Sequence, residues 1–257
     1  MAIDIQTWVN IAAFAGGGMC MGVGAIGAAI GEGYTAAEAN LAISRNTEMA
    51  GDIFKSMLIG QAIAESASIF ALVIAMILLF TKFSATSYVT VCAIFSAGIS
   101  MGFGAIGSGI GAGYPAGAAC AGMSRQPAMS GKLTTNMLIG SAVCQTPSIF
   151  ALVVSFILLF TDFSGYPVSP GWAAVLGAGI AIGLGAIGSG IGGGVVAESS
   201  SKGIARQPLA ITPVTNVMLL GQAIAQTPAI LGLLISFILI YKGFPATDSL
   251  APSMALL

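Results

Sequence analysis

The chain has 257 residues, of which 56% are hydrophobic and only 7% are charged, and its net charge is −1. Water-soluble domains carry about 25% charged residues, so this chain cannot cover a core with solvated side chains and must face lipid. The absence of histidine removes the commonest general base and metal ligand, and the absence of a basic cluster argues against a nucleic-acid partner. We therefore expect an integral membrane protein without a resident cofactor.

The chain is a tandem triplication of one hairpin. Residues 22–80 align without gaps on residues 102–160 and 183–241, and the sequence GAIGSGIG occurs at both 104–111 and 185–192. Each copy has two apolar stretches longer than the roughly 20 residues that a helix needs to cross a bilayer. We predict an all-α membrane protein whose six transmembrane helices lie near 5–43, 50–80, 86–123, 129–160, 170–204 and 210–242. They form three tandem hairpins: hairpin 1 (1–81), hairpin 2 (82–162) and hairpin 3 (163–257).

The first helix of each hairpin is narrow. Gly24, Gly27 and Gly31 lie on one stripe in hairpin 1, and glycines recur at the matching positions of the other two copies. Such faces let helix backbones approach closely. The second helices end in bulky residues, ILLF at 77–80 and 157–160 and ILIY at 238–241. A narrow helix beside a broad one makes a wedge, so we predict part of a ring with the first helices inside and the second helices facing lipid.

The positive charges predict the orientation in the membrane. Six of the eight lie near the three loops that join the helices of each hairpin, and only Lys82 and Lys242 lie on the other side. Because basic residues concentrate in cytoplasmic loops, we expect the hairpin loops to be cytoplasmic and both termini to be outside. The N-terminal MAIDIQTW has no basic region, so we expect no cleaved signal peptide.

Two carboxylates of the first hairpin are the candidate functional groups. Seven of the nine acids lie at helix ends, loops or termini, where water can solvate them: Asp4, Glu38, Glu48, Asp52, Asp162, Glu198 and Asp248. Glu65 lies instead near the centre of helix 50–80, with no other charge between Lys55 and Lys82. A carboxylate at that depth costs several kcal/mol unless it is protonated or paired with a cation, so it is functional by default. Glu32 is the second candidate and lies closer to the cytoplasmic end.

The repeats restrict the ion site to hairpin 1. Gln145 and Gln226 occupy the position of Glu65 in the other hairpins, and Ala112 and Gly193 occupy that of Glu32. Glutamine keeps the size of glutamate but can neither hold a proton nor neutralise a cation. Only hairpin 1 can therefore carry an ion.

Prolines follow the two glutamines at a distance of two residues. Pro147 and Pro228 have no N–H group, so the carbonyls of Val143 and Ile224 lose their helical partner and can accept or coordinate another group. Thr146 and Thr227 precede the prolines and add hydroxyl oxygens.

These motifs resemble the c subunit, or proteolipid, of rotary F-type and V-type ATP synthases. The resemblance rests on the glycine-rich first helix, the Arg-Gln-Pro loops at 125–127 and 206–208, and GQAIAES at 60–66, and it covers nearly the whole chain. It implies a homo-oligomeric rotor ring in a prokaryotic plasma membrane, turning through lipid against a stator a-type subunit, with no catalysis by this chain. It also implies that Glu65 carries the ion and that the loops at Arg45, Arg125 and Arg206 contact central stalk subunits.

The resemblance leaves the coupling ion open between Na⁺ and H⁺. In sodium-type members a glutamine at the Glu32 position joins the carrier glutamate, and a neighbouring outer helix supplies the hydroxyl at the Ser66 position and the carbonyl at the Ile63 position. This sequence has Glu32 instead of that glutamine, and Phe70 where a tyrosine often supports the carboxylate. One proton shared between the two acids would leave a single negative charge for Na⁺. We favour Na⁺, with H⁺ as the alternative.

The sequence does not determine how the Glu65 site is completed. Thr146 with Val143, or Thr227 with Ile224, can supply the missing oxygens, depending on the direction of the ring. The number of chains per ring, the presence of different c subunits in it and the choice between ion pumping and ATP synthesis are not determined either. A secondary transporter or channel is the rival class, but such repeats usually run in inverted topology around several polar groups.

Overall fold

The computed structural model describes residues 4–84, 87–163 and 171–242, and these residues are almost entirely helical. The α-helices are α1 (Ile5–Arg45), α2 (Ala50–Phe80), α3 (Tyr88–Arg125), α4 (Ser130–Cys144), α5 (Thr146–Phe160), α6 (Gly171–Arg206), α7 (Ile211–Ala225) and α8 (Thr227–Lys242). Short 3₁₀ turns at Thr47–Met49, Pro127–Met129 and Pro208–Ala210 join the two helices of each hairpin. Six helical segments in this part of the chain are long and apolar enough to cross a membrane, so the predicted fold class is confirmed. The predicted helix starts at 86 and 170, and Asp248, lie outside the described residues.

The second helices of hairpins 2 and 3 are interrupted, although their apolar sequence predicts one continuous helix in each. The breaks fall at Gln145 and Gln226, two residues before the prolines that cannot donate to the preceding turn. Serines of the first helices satisfy the first N–H group after each proline: Ser148 N donates to Ser108 Oγ at 3.2 Å, and Ala229 N donates to Ser189 Oγ at 3.0 Å. Hairpin 1 has alanine at the proline position, and its α2 is unbroken.

The glycine-rich helices α1, α3 and α6 lie side by side in one layer. The second layer covers the grooves between them: α2 packs on α1 and α3, and α4 with α5 packs on α3 and α6. Helices α7 and α8 pack on α6, the last helix of the first layer. The approach within that layer requires glycine, because a Cβ at Gly98 would lie 2.4 Å from the carbonyl oxygen of Gly16.

Two apolar clusters lie above and below the middle of the bundle. The larger contains Ile74, Leu78, Ile94 and Leu158 towards the ends of the second helices. The smaller lies near the hairpin loops and contains Ile53, Met123, Leu133, Met137 and Ile204. The bulky ends of the second helices point outward, with Phe80, Phe160 and Tyr241 exposed to 65% or more. Between the two clusters lies the level of Glu65.

Candidate ion site

Glu32 and Glu65 form the charged centre of hairpin 1. Glu65 on α2 is exposed, and Glu32 on α1 is partly buried. The two carboxyl groups are close enough to repel each other when both are ionised. Gln61 Nε2 donates to the backbone oxygen of Glu32 at 3.2 Å, which holds α2 against α1 at this level. Within the described part of the chain, no hydrogen bond engages the Glu65 carboxylate.

The glutamines at the Glu65 position make a hydrogen bond that Glu65 lacks. Gln145 Nε2 donates to the carbonyl oxygen of Ile63 at 2.9 Å, and Gln226 Nε2 donates to that of Val143 at 2.8 Å. Both glutamines are buried, with 7% and 6% of their surface exposed. Each bond crosses from one hairpin to the hairpin that precedes it in the chain. The direction of this contact is therefore the same at both junctions.

The predicted oxygen ligands lie on the junctions between hairpins. Ser66 Oγ donates to the Ile63 carbonyl oxygen at 2.7 Å, so this pair faces hairpin 2 together with Gln145. The carbonyl of Val143 faces hairpin 3 and accepts from Gln226. Thr146 begins α5, immediately after the break in the helix. Among the described residues, no hydrogen bond joins any of these four groups to the Glu65 carboxylate.

The third carbonyl of this set lies at an open edge. Ile224 precedes Thr227 and Pro228 as Val143 precedes Thr146 and Pro147, and its side chain is 66% exposed. No side-chain amide of the described residues donates to its carbonyl oxygen. Ile224 with Thr227 thus occupies the face of hairpin 3 that corresponds to the covered faces of hairpins 1 and 2.

Polar side chains one turn before the Glu65 position tie the two helices of each hairpin together. Gln61, Ser141 and Gln222 occupy equivalent positions, and each donates to a backbone oxygen of its own first helix, that of Glu32, Ala112 or Gly193. In hairpin 3 the buried oxygens Gln222 Oε1 and Gln226 Oε1 have no partner among the described residues. The sequence signal for this contact is the polar residue that all three copies have at the position of Gln61.

The loop end of the bundle gathers charge. Arg45, Arg125 and Arg206 end α1, α3 and α6, and with Lys202 and Glu38 they line a cavity of about 260 Å³. The hairpin loops are tied together there, since Asn46 Nδ2 donates to the Ser124 carbonyl oxygen.

The position of Glu198 in the sequence predicts a solvated helix end, but the structure places this residue elsewhere. Its side chain is 16% exposed and pairs with Lys202 one turn later, at 2.7 Å. It also accepts a hydrogen bond from Tyr34 Oη, which reaches from α1 past α3 to α6. The prediction was wrong because hairpin 1 approaches hairpin 3 here, and that approach leaves no local signal in the sequence.

Comparisons with known proteins identify the family of the three repeats. The family model for the C subunit of ATP synthase matches three times, at residues 15–78, 95–158 and 176–239. The ATP synthase c subunit of Geotalea uraniireducens is 45% identical over 76 residues, which is 30% of this chain and 82% of that protein. The ATP synthase c subunit of Natranaerobius thermophilus is 44% identical over 80 residues, 31% of this chain and 92% of that protein. The A-type ATP synthase subunit K of Methanocaldococcus jannaschii is 28% identical over 224 residues, 87% of this chain and 93% of that protein.

Proposed function

Because the chain belongs to the family of ATP synthase C subunits and is a membrane rotor component rather than a catalytic one, we propose that Glu65 alone carries its coupling ion. The observation that supports this most directly is the contrast at one position. Gln145 and Gln226 are buried and hydrogen-bonded to the preceding hairpin, whereas Glu65 is exposed at an open edge beside Glu32. An exposed carboxyl group can take up and release an ion, and a buried amide cannot.

A second copy of the chain completes the site. At both junctions inside the chain, the residue at the Glu65 position contacts the carbonyl two residues before that position in the preceding hairpin. Repetition of this contact around a ring brings Glu65 to the Ile224 carbonyl and the Thr227 hydroxyl of a second copy. We therefore favour this pair over Thr146 with Val143, whose carbonyl is already occupied by Gln226.

The coupling ion in this proposal is Na⁺. A proton shared by Glu32 and Glu65 leaves one negative charge, and the Thr227 hydroxyl and Ile224 carbonyl of the second copy add hard oxygen ligands. A proton needs only one carboxyl group, so the oxygen set is better suited to Na⁺. Transport of H⁺ by the same pair is the alternative.

Neutralisation of Glu65 permits rotation. A bare carboxylate is costly to bring into lipid, and a carboxyl group that holds an ion is not. The ring therefore turns through lipid only with its sites occupied, and the ion is exchanged where Glu65 meets the stator a-type subunit.

The scarcity of sites favours ATP-driven pumping. Each charge that crosses the membrane provides about 2.3 kcal/mol per 100 mV. With one site per three hairpins, a turn of the ring moves few charges and gains little work from a given membrane potential. The rotor is thus suited to ion pumping, or to synthesis under a steep gradient. ATP synthesis at an ordinary gradient by a reconstituted enzyme with this rotor alone would contradict this part of the proposal.

The hairpin loops lie on the cytoplasmic side and meet the central stalk. The convergence of Arg45, Arg125 and Arg206 on one cavity supports this, because it presents a compact basic surface at the loop end. Both termini then lie outside.

Labelling with dicyclohexylcarbodiimide tests the carrier and the ion together. This apolar reagent modifies protonated carboxyl groups, so we expect one modified Glu65 per chain in the detergent-extracted protein, and none in Glu65→Gln. Na⁺ at constant pH should protect Glu65. Protection by raised pH alone would replace Na⁺ with H⁺, and no labelling at all would contradict the carrier role. Glu48→Gln, at an exposed loop, is the matched control and should label as the wild type does.

A pair of threonine variants tests the direction of the ring. Thr227→Ala should weaken protection by Na⁺, because its hydroxyl belongs to the completed site, whereas Thr146→Ala should leave protection unchanged. The reverse result would assign the site to Thr146 with Val143.

A further inference from the structure

The chain contains two seams between first helices, and a ring requires a third. The seams within the chain are α1 with α3 and α3 with α6. In the proposed ring, on which this inference rests, the third seam joins α6 of one copy to α1 of the next. We call this the intercopy seam. The internal repeats allow its residues to be compared position by position with those of the two internal seams.

On α3 and on α6, four glycines at matching positions lie on the face that packs against the preceding first helix, α1 or α3. A Cβ at any of the eight would lie between 2.3 and 3.1 Å from the helix before it, mostly from its backbone: Gly98, Gly102, Gly109 and Gly113 on α3, and Gly179, Gly183, Gly190 and Gly194 on α6. Real Cβ contacts of under 3.0 Å essentially do not occur. The internal seams therefore depend on the absence of a side chain along this face.

The same face of α1 carries one alanine, and the described residues leave it uncovered. Its matching residues are Gly18, Gly22, Ala29 and Gly33, all of them exposed, and no described atom lies within 4 Å of a Cβ built on the three glycines.

The face of α6 that lies opposite α3 is uncovered in the same way. Within the described parts of the chain, no atom lies within 4 Å of a Cβ built on Gly188, whereas a Cβ on the equivalent Gly27 or Gly107 would meet the backbone of α3 or α6 at 2.4 or 2.5 Å. The two faces are the ends of one repeating contact, so the occupant of each is a second copy of the chain.

Ala29 cannot fit the spacing of the internal seams. A Cβ at Gly109 would lie 2.5 Å from the Ala28 nitrogen, and one at Gly190 would lie 2.3 Å from the Gly107 carbonyl carbon. Carbon atoms pack at about 3.5 Å or more, so an alanine here needs the helices about 1 Å further apart. Ala29 also lies three residues before Glu32, on the adjacent turn of the same helix face.

We propose that the intercopy seam is wider and looser than the two internal seams at the level of Glu32 and Glu65. The ring then has one loosened junction per chain, at the depth where the ion is exchanged. The added space gives water and the ion access to the two carboxyl groups. The internal seams, closed by glycine against backbone, exclude water at the same depth.

A cryo-electron microscopy map of the detergent-extracted ring measures this directly. We expect the Cα distance between Gly188 and Ala29 of the next copy to exceed the Gly27–Gly109 and Gly107–Gly190 distances by about 1 Å. In Ala29→Gly this excess should disappear, the ring should dissociate in dodecyl sulfate at a higher temperature, and carbodiimide should label Glu65 several-fold more slowly. Gly33→Ala adds a second Cβ to the seam and should lower the dissociation temperature.

Two control variants separate the seam from helix propensity. Ala62→Gly changes a position that is exposed in all three hairpins. Gly131→Ala adds a Cβ that has no atom of the described residues within 4 Å, although hairpins flank it on both sides. Ala62→Gly should not raise the dissociation temperature as Ala29→Gly does, and Gly131→Ala should not lower it as Gly33→Ala does. Equal spacing at all three seams in the wild-type map, or an Ala29→Gly ring identical to the wild type, would overturn the inference and leave the rotor role intact. A wild-type chain that forms no ring in native mass spectrometry would overturn the proposed ring as well.

Discussion

Hairpins 1 and 2 share the same helical hairpin architecture but differ in chemistry at the Glu65 position. Gln145 of hairpin 2 is buried and donates to the Ile63 carbonyl, so it fixes the junction between the two hairpins. Glu65 of hairpin 1 is exposed, has a second acid beside it, and finds no donor within the described chain. In the proposed function, the hydrogen bond of Gln145 stabilises the junction and the unpaired carboxyl group of Glu65 exchanges the ion. Under that proposal, replacement of one acid by its amide converts an ion site into a structural contact.

Replacement of Glu65 by glutamine removes the chemical difference between hairpin 1 and the other two hairpins at this position. Glu65→Gln should abolish ATP-driven ion transport into vesicles, because an amide can neither neutralise a cation nor hold a proton, and the remaining acid, Glu32, is partly buried on α1 rather than exposed at the edge. The ring should still assemble, since two of every three hairpins already carry glutamine here. Transport is measured by uptake of radioactive Na⁺ or by a pH-sensitive dye. Glu48→Gln is the control, and residual transport by Glu65→Gln above the level of empty vesicles would contradict the prediction.

The reverse replacement, Gln145→Glu, introduces an acid at the buried position of hairpin 2. Gln145→Glu should give a second carboxyl group that is protonated at neutral pH, because the buried group can donate to the Ile63 carbonyl only in its neutral form. Carbodiimide should then modify two residues per chain, counted by mass spectrometry. Gln207→Glu, at an exposed loop position, should add none, since a solvated carboxyl group stays ionised. A single modification in Gln145→Glu would contradict the prediction that the buried carboxyl group is protonated.

The junction between hairpins 2 and 3 also differs from that between hairpins 1 and 2 at the depth of Asn136, nearer the loops. Asn136 of α4 donates to Ser201 on α6 and accepts from Ser200 and from Thr215 on α7. Ser56, its counterpart in hairpin 1, donates across the junction to the weakly accepting Met137 sulfur at 3.5 Å. Asn136→Ala should therefore reduce the free energy of unfolding by about 2 kcal/mol, as expected for loss of several buried hydrogen bonds. Dodecyl sulfate titration of the detergent-solubilised protein measures it.

Thr135→Ala is the control for this variant, because Thr135 is exposed and bonds only within its own helix. An equal loss in both variants would show that Asn136 does not hold hairpins 2 and 3 together.

The smallest effect concerns the hydrogen bond of Gln145 itself. Gln145→Leu removes one donor from the Ile63 carbonyl, which keeps the Ser66 hydroxyl as a partner. The free energy of unfolding should therefore fall by only about 1 kcal/mol. The same titration measures this change, and Gln207→Leu should leave the midpoint unchanged. A loss as large as that of Asn136→Ala would mean that the Ser66 hydroxyl does not compensate.

Most of the fold could be predicted from the sequence because its determinants are local. The triplication, the six membrane-spanning helices and the narrow glycine faces follow from hydropathy, length and periodicity, which are properties of short segments. The sequence also leads to the proposal that hairpin 1 alone holds the ion site, since the repeats allow Glu65 to be compared with Gln145 and Gln226. The breaks at those glutamines do not follow from the sequence, because prolines are often tolerated in membrane helices without an interruption.

The tertiary structure alone decided which groups meet across the hairpins. The sequence permits Glu65 to be completed by Thr146 with Val143 or by Thr227 with Ile224, because both pairs have the same local pattern. The contacts of Gln145 with Ile63 and of Gln226 with Val143 give the repeating contact a direction, and that direction supports Ile224 with Thr227 as the completing pair. The hand of packing between successive hairpins determines the direction, and a one-dimensional pattern of residues does not encode it. The contact of Tyr34 with Glu198 has the same origin, since it depends on how closely α1 approaches α6 past α3.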